Sequence, residues 1–360
     1  MLRFILKRFY YGFLVLIGVL LLVFFLFNVL PGDAASMMQG QRTDMASLEN
    51  TRKELGLDKP IYKQFLNYIN DISPLSVHET MDSNSLIFFN ENNYAPYLKI
   101  LRVSSSKVMV LKFPYLRRSY QSQRKVSEIL ITAFPLTALL AGVSILIACV
   151  IGIILGIISA LNKNSFFDKM NLVISVFGMS LPSFFAAVLI AWIFAYLLSG
   201  FTHLNMFGSL YSVDDFGRGE YLELKNIILP AITLGIRPLA IVTELTRSSL
   251  LEVMSQDYIR TARAKGLPLM RIITKHALKN AMNPVVTAIS GWFASLLAGA
   301  VFVEYIFDWK GIGVVMVQGL EKYDFPVVMG TILFISVILI IINIFVDIIY
   351  AMLDPRVQIQ

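Results

Sequence analysis

The sequence predicts an all-α polytopic membrane protein of six transmembrane helices, with an external loop subdomain in which short strands are expected. Three observations predict it. Hydrophobic residues are 56% of the 360 and charged residues 15%, against about 25% charged in soluble domains, and the mean hydropathy is +0.68. The apolar residues gather into six runs, each near the roughly 20 residues that a helix needs to cross a bilayer. The short loops between the runs differ in charge sign from one side to the other, which is how such a helix set is oriented.

The first run extends from Tyr11 to Leu30, behind Arg3, Lys7 and Arg8. A cleaved signal peptide is the competing reading, because Ala34-Ala35-Ser36 follows. The apolar stretch is longer than the roughly 7–15 residues of a signal, so a retained helix is expected. The second run lies between Glu128 and Lys163, with Phe134 to Leu161 as its body. The third runs from Leu172 to Leu198 and has Pro182 placed to kink it. The fourth, Ile227 to Thr246, is the least apolar and carries Pro230, Gly235, Arg237, Pro238 and Glu244. The fifth is Asn283 to Val303. The sixth is Phe325 to Tyr350, with Asp347 in its last turn, where Arg356 or headgroup-level water is the expected partner.

An even number of spans puts both termini on one side. Three basic and no acidic residues precede the first run, and the loop from Arg247 to Met282 has seven basic residues against Glu252 and Asp257. Residues 202–226 and 304–324 each hold four acidic and two basic residues. The positive-inside rule therefore makes both termini and the 247–282 loop cytoplasmic. Residues 31–127 depart from the pattern, with thirteen basic residues against nine acidic, eight of them between Lys99 and Lys125. Loops longer than about 60 residues escape the rule. The chain is thus read as 1–30 (cytoplasmic N-terminus and first helix), 31–127 (external subdomain) and 128–360 (five-helix core). Within the subdomain, Leu86-Ile-Phe-Phe89 and Val108-Met-Val-Leu111 are strand-like runs bounded by polar clusters. A solvated cap and a docking face for an extracytoplasmic partner both fit it.

The loop 247–282 is the most informative part of the chain. Leu250, Leu251, Val253, Met254, Tyr258, Ile259 and Ala262 recur at near-helical spacing. Arg260, Arg263 and Lys265 crowd the C-terminal turn, where the helix dipole favours cations. Gly266 suits a left-handed C-terminal position and Pro268 blocks continuation. A second helix begins near Leu269 and leads through His276 and Asn280 to the fifth span. An amphipathic helix lying on anionic lipid is the plainer reading. The glycine corner between two helices instead makes a compact protruding knob, which suits a groove in a soluble protein.

Charged residues inside a span are costly, by roughly 3 kcal/mol each on insertion scales. Arg237 and Glu244 lie seven residues apart on one helix face, so they are pathway candidates, or else a structural pair or a contact to a partner chain. Asn28 and Asn343 fit interhelical hydrogen bonds. Gly152 and Gly156 make a Gly-x-x-x-Gly step that allows close helix packing. Trp309, Gly311 and Gly313 are expected at the external surface, as an aromatic anchor and turn. Cys149 lies alone in an apolar run, and His78, His203 and His276 have no metal-ligand spacing. There is no Gly-x-x-x-x-Gly-Lys-Ser/Thr phosphate loop, nor paired carboxylates or a nucleophile constellation at a span end.

Arg260-Thr-Ala-Arg-Ala-Lys-Gly-Leu267, followed by Lys275-His-Ala-Leu-Lys-Asn280, resembles the cytoplasmic motif of the integral-membrane permease subunits of ABC importers for dipeptides, oligopeptides and nickel, in their peptide branch. The resemblance extends through Met1-Leu-Arg-Phe-Ile-Leu-Lys-Arg8, Leu30-Pro-Gly-Asp33, Leu57-Asp-Lys-Pro-Ile-Tyr62, Leu181-Pro-Ser183, Leu245-Thr-Arg-Ser-Ser-Leu-Leu-Glu252, Gly311-Ile-Gly313, Tyr323 with Pro326, and Leu353-Asp-Pro-Arg356, in order along nearly the whole chain. Arg260 stands where the classical motif has glutamate and Lys279 where it has proline, both as in the peptide branch. Residues 71–111 look like an insertion in the first external loop, and Arg237 matches no position of the family pattern. The resemblance implies an ABC importer permease fold, a second homologous permease beside this one, two cytoplasmic ABC ATPases, and an extracytoplasmic substrate-binding protein that delivers cargo. The ATPases would grip Asp257, Tyr258, Arg260, Thr261, Ala262, Arg263, Ala264, Lys265, Gly266 and Leu267. Trp309, Gly311 and Gly313 would belong to the external gate. ATP and Mg would sit on the ATPases, leaving this chain without cofactor, metal or nucleic acid, in the bacterial cytoplasmic membrane. Peptide is the expected cargo, with nickel or another small solute as the alternative. An ion-gradient-driven secondary transporter is a further alternative, which should carry an internal inverted repeat. The loop motif is not repeated.

Overall fold

The computed structural model describes residues 2–29, 49, 52, 58–82, 85, 87–94, 96–214 and 219–353. Expectations that fall on Leu30 to Ser36, Leu57, Leu86 and Arg356, and on the Asn28 side chain, lie outside the described residues.

In chain order the elements are α1 (Leu2–Val29), α2 (Ile61–Ile72), β1 (Leu75–Glu79), β2 (Tyr97–Arg102), β3 (Lys107–Lys112), α3 (Val126–Leu161), α4 (Phe166–Ser180), α5 (Ser183–Ile190), β4 (Tyr211–Val213), β5 (Glu220–Leu222), α6 (Ile228–Met254), α7 (Asp257–Ala264), α8 (Asn283–Gly299), α9 (Val301–Phe307), α10 (Ile312–Glu321) and α11 (Phe325–Leu353). Single helical turns and π-helical stretches (Ala191–Leu197, Ile273–Ala277) join some of them.

Among the described residues, four helical stretches are long and apolar enough to cross a membrane alone: Leu6–Phe27, Val126–Leu161, Leu224–Met254 and Phe325–Ile348. Two bent pairs complete the six expected spans. The third run is not one kinked helix. It is two, α4 and the α5 stretch, which meet at 112°. Proline disfavours helical backbone in the residue before it; Leu181 is extended (ψ 128°), and Pro182 caps the next helix, which begins at Ser183. The fifth run divides into α8 and α9 at 58°.

The chain forms two compact units. One comprises residues 1–9, 133–314 and 338–360. Its centre is α6, which small residues let its neighbours approach. A Cβ at Gly152 would stand 3.0 Å from the Leu239 carbonyl, and one at Gly156 2.6 Å from Thr246 Cβ. The Gly-x-x-x-Gly step of α3 is therefore a helix contact. Gly178 brings α4 to α6, and Gly235 brings α6 to the Ser144 carbonyl. Leu140, Leu229, Leu234, Val303, Phe307 and Trp309 fill the core of this unit. Asp347, near the end of α11, pairs with Arg8 Nε of α1 at 3.0 Å.

The other unit comprises residues 10–132 and 315–337. Val23 and Phe24 of α1 pack with Tyr68 of α2 and with Met329 and Leu333 of α11. Its sheet is antiparallel in the order β1-β3-β2. Val108-Met-Val-Leu111 is its middle strand, as expected. Among the described residues of the other strand-like run no strand forms: Phe88 makes one bridge, to Glu79, and Phe89 turns inward among His78, Tyr94 and Tyr97. An apolar cluster in a turn here serves as core filling. One sheet face is buried, with Ser76, His78, Val108, Val110 and Lys112. The His78 Nδ1–H donates to the Ile87 carbonyl (3.2 Å), which leaves Nε2 to accept the Ser76 hydroxyl (2.9 Å). Burial, and then the Lys112 ammonium, push the His78 imidazole below its ordinary value. Burial also lowers Lys112 to about 8, against the opposing pull of Asp71. Arg117 pairs with Asp71 at 2.9 Å. The basic run is thus partly neutralised within the subdomain.

Candidate functional site

The loop between α6 and α8 is built from its own sequence. α6 runs to Met254, so Leu250, Leu251, Val253 and Met254 belong to the span helix and not to the knob. Ser255 and Gln256 break it: the Ser255 hydroxyl donates to the Glu252 carbonyl (2.6 Å), and Gln256 is extended (ψ 152°). α7 then spans eight residues. Ile259 and Ala262 are buried in a cluster with Leu250, Ile272, Ala277 and Ala281. Asp257, Tyr258, Arg260, Thr261, Arg263, Ala264 and Lys265 are exposed. Asp257 sits in the first turn, where the dipole favours an acid, and Arg263 in the last.

The helix closes in a Schellman motif. Gly266 has φ +75°, its N–H donates to the Arg263 carbonyl (2.9 Å), and the Leu267 N–H donates to the Ala262 carbonyl (3.4 Å). Leu267 packs on the same cluster as Ala262, the apolar contact that accompanies this cap. The one-turn helix Leu269–Ile272 and the π-helical Ile273–Ala277 return the chain to α8. Asn280 Nδ2 donates to the Tyr258 hydroxyl (2.9 Å), bracing α7 against the returning arm. The result is a short helix anchored on one side, with a mixed-charge face open to solvent.

Arg237 and Glu244 are both exposed on α6, and among the described residues no ion pair joins their side chains. The reading of an internal structural pair fails. Seven residues of helix separate them by about 10 Å, and each points away from the bundle of this chain. Charges within a span face a partner chain or a water-filled cavity.

In the Trp309–Gly313 loop Lys310 is exposed, but Trp309, Gly311, Ile312 and Gly313 are buried, which corrects the expectation of a surface anchor and turn. Trp309 is 0% exposed. Its indole N–H donates to the Leu136 carbonyl (3.0 Å), so the polar edge is satisfied inside. The Gly313 N–H donates to Glu304 Oε2 (2.6 Å) and the Ile312 N–H to the Thr137 hydroxyl (2.9 Å). A Cβ at Gly313 would lie 2.5 Å from Val301 Cα, and one at Gly311 would overlap the Glu304 carboxylate. Glu304 is the residue that sequence reading missed here, since nothing local to it signals a buried acid.

A second missed residue is Asp168. Its side chain accepts two bonds from Arg247, from Nε at 2.5 Å and Nη2 at 2.7 Å, and it is 1% exposed. Ser165-Phe-Phe-Asp168 has the spacing of a capping box, which was the available signal: the Asp168 N–H donates to Ser165 Oγ (3.2 Å).

Apolar spans with a braced helical knob between two of them suit a membrane component of a transport system. The chain belongs to the family of inner-membrane components of binding-protein-dependent transport systems: that family's model matches residues 152–359, and the N-terminal model of such membrane components matches residues 1–85. The di/tripeptide transport system permease protein DppB of Pseudomonas aeruginosa (strain UCBPP-PA14) is 32% identical over 357 residues, covering 95% of each chain. The dipeptide transport system permease protein DppB of Bacillus subtilis (strain 168) is 33% identical over 360 residues, covering 100% of this chain and 99% of the relative. That of Escherichia coli (strain K12) is 32% identical over 381 residues, covering 99% of each.

Proposed function

We propose that this chain is a permease subunit of an ATP-driven ABC importer that carries di- or oligopeptides across the cytoplasmic membrane. It forms the pathway with a second, homologous permease. Two cytoplasmic ATPases seat on Asp257 to Leu267, and an extracytoplasmic binding protein delivers the peptide. Both termini are cytoplasmic. The observation that carries this reading is the anchored α7 with its exposed face and Schellman corner, in a chain related along its whole length to dipeptide permeases. Its apolar side is already filled by its own bundle, so the exposed Tyr258, Arg260, Thr261, Arg263 and Lys265 are left for a polar groove. Arg237 and Glu244 line the pathway. The Trp309, Gly311 and Gly313 corner, held by Glu304, is a fixed abutment of the external gate.

The test is reconstitution of this chain with its sister permease, both ATPases and the binding protein in proteoliposomes. ATP-dependent uptake of tritiated alanyl-alanine is expected, and charge reversal at both Arg260 and Arg263 should abolish it while the protein stays inserted. Uptake at the normal rate in that variant would place coupling elsewhere. Uptake by the purified chain alone would instead make it a secondary transporter.

A further inference from the structure

We infer that the Asp168–Arg247 fork is the transmission element of this permease, carrying displacement of the α7 loop into α4 and its bent continuation. The inference rests on the reading of α7 as the ATPase seat. Arg247 lies seven residues before the end of α6 at Met254, and only Ser255 and Gln256 separate that end from α7. Whatever moves α7 therefore pulls first on this part of α6.

Asp168 is held rigidly on the other side. It sits in the first turn of α4, its N–H bonds to Ser165 Oγ (3.2 Å), and its Oδ2 also accepts the Asn164 N–H (2.9 Å). The Arg247 side chain is 18% exposed and the Asp168 side chain 1%. Two parallel bonds from a planar guanidinium resist both sliding and twisting of one helix against the other, which a single bond or an apolar contact does not. A buried ion pair adds little net stability over an apolar pair of the same size, so its value lies in fixing geometry.

The two helices are tied a second time, further along. Gly178, ten residues after Asp168, lets α4 approach α6 so closely that a Cβ there would be 3.1 Å from Ile236 Cγ2. Just beyond Gly178, α4 ends at the 112° bend to α5. With α4 fastened to α6 at both places, displacement of α6 is delivered to the bend. Arg247 and Asp168 are positioning residues for coupling: they touch neither cargo nor nucleotide.

The experiment uses the whole complex in proteoliposomes and three readouts: ATPase subunits retained on purification, thermal stability, and tritiated alanyl-alanine taken up per ATP hydrolysed. Asp168→Asn and Arg247→Gln are expected to keep the ATPases bound, to lower stability, and to cut uptake per ATP about tenfold, within the usual range for coupling between distant sites. Arg247→Lys keeps the charge but not the fork and should fall between these and the unsubstituted chain. The paired Asp168→Asn, Arg247→Gln variant leaves no lone buried charge, so stability should recover while uptake per ATP stays low. Recovery of both together would make the pair a folding device and overturn the inference. So would unchanged uptake per ATP in the single variants, or loss of the ATPases from the complex. Failure of the unsubstituted complex to take up the peptide would instead overturn the parent reading.

Discussion

Gly266 gives the sharpest prediction. Its backbone is left-handed at φ +75°, and a Cβ built on it meets nothing within 4 Å. Substitution there carries no steric clash with neighbours, so its cost is conformational alone. Placing an L-residue in the left-handed region costs roughly 1–2 kcal/mol, which lowers the population of the intact corner by a factor of about 5–30. Asparagine visits this region readily and should cost less than alanine. Valine, branched at Cβ, should cost more. The corner holds α7 through the Gly266 and Leu267 amides, so hydrogen exchange at those two amides reads its opening directly. Exchange should quicken, and peptide uptake per ATP should fall, in the order Asn, Ala, Val. If Gly266→Asn is as damaging as Gly266→Val, or if valine leaves exchange and uptake untouched, the cap is not what positions α7.

Gly156→Leu should abolish recovery of folded, monodisperse protein, because its Cβ would meet Thr246 Cβ at 2.6 Å and the Thr243 carbonyl at 2.7 Å; Gly142→Ala on the same helix, with nothing within 4 Å, should be silent in the same size-exclusion assay. Glu304→Gln keeps an acceptor for the Gly313 N–H and should melt near the native temperature, whereas Glu304→Ala leaves that buried donor unpaired, at a cost of about 1–3 kcal/mol, and should melt several degrees lower. The three-stranded sheet should weaken in acid. The folded-state value of His78 lies below its unfolded one, so unfolded chains take up the proton first, and stability is full above roughly pH 6.5 and declines as pH falls below it. The groups facing this imidazole are Lys112, Asp71, Tyr94 and Ser76. Exchange at β1 and β3 amides, corrected for intrinsic rate, should rise between pH 7 and pH 5 and lose that rise in His78→Gln.

The spans, the knob and its glycine corner were legible in the sequence, because each depends on a few neighbouring residues. Apolar runs, a dipole-matched charge order and a residue able to take positive φ all act within one or two helical turns. Short-range signals also misled where burial was at stake. Trp309 reads as an interfacial anchor until Leu136, 173 positions away, accepts its indole N–H. Leu86 to Phe89 reads as a strand until Phe89 proves to be core. Asp347 could be assigned only a local partner, and finds Arg8 from the other end of the chain. The local code thus determined which segments are apolar, where the knob stops and which residues it presents, while the structure showed that Leu250 to Met254 belong to the span helix before it. The tertiary structure decided what those helices are fastened to. Asp168 and Arg247 lie 79 positions apart, and their meeting depends on the small residues that let α4 lie against α6, a fact of packing distance that no window of the sequence contains.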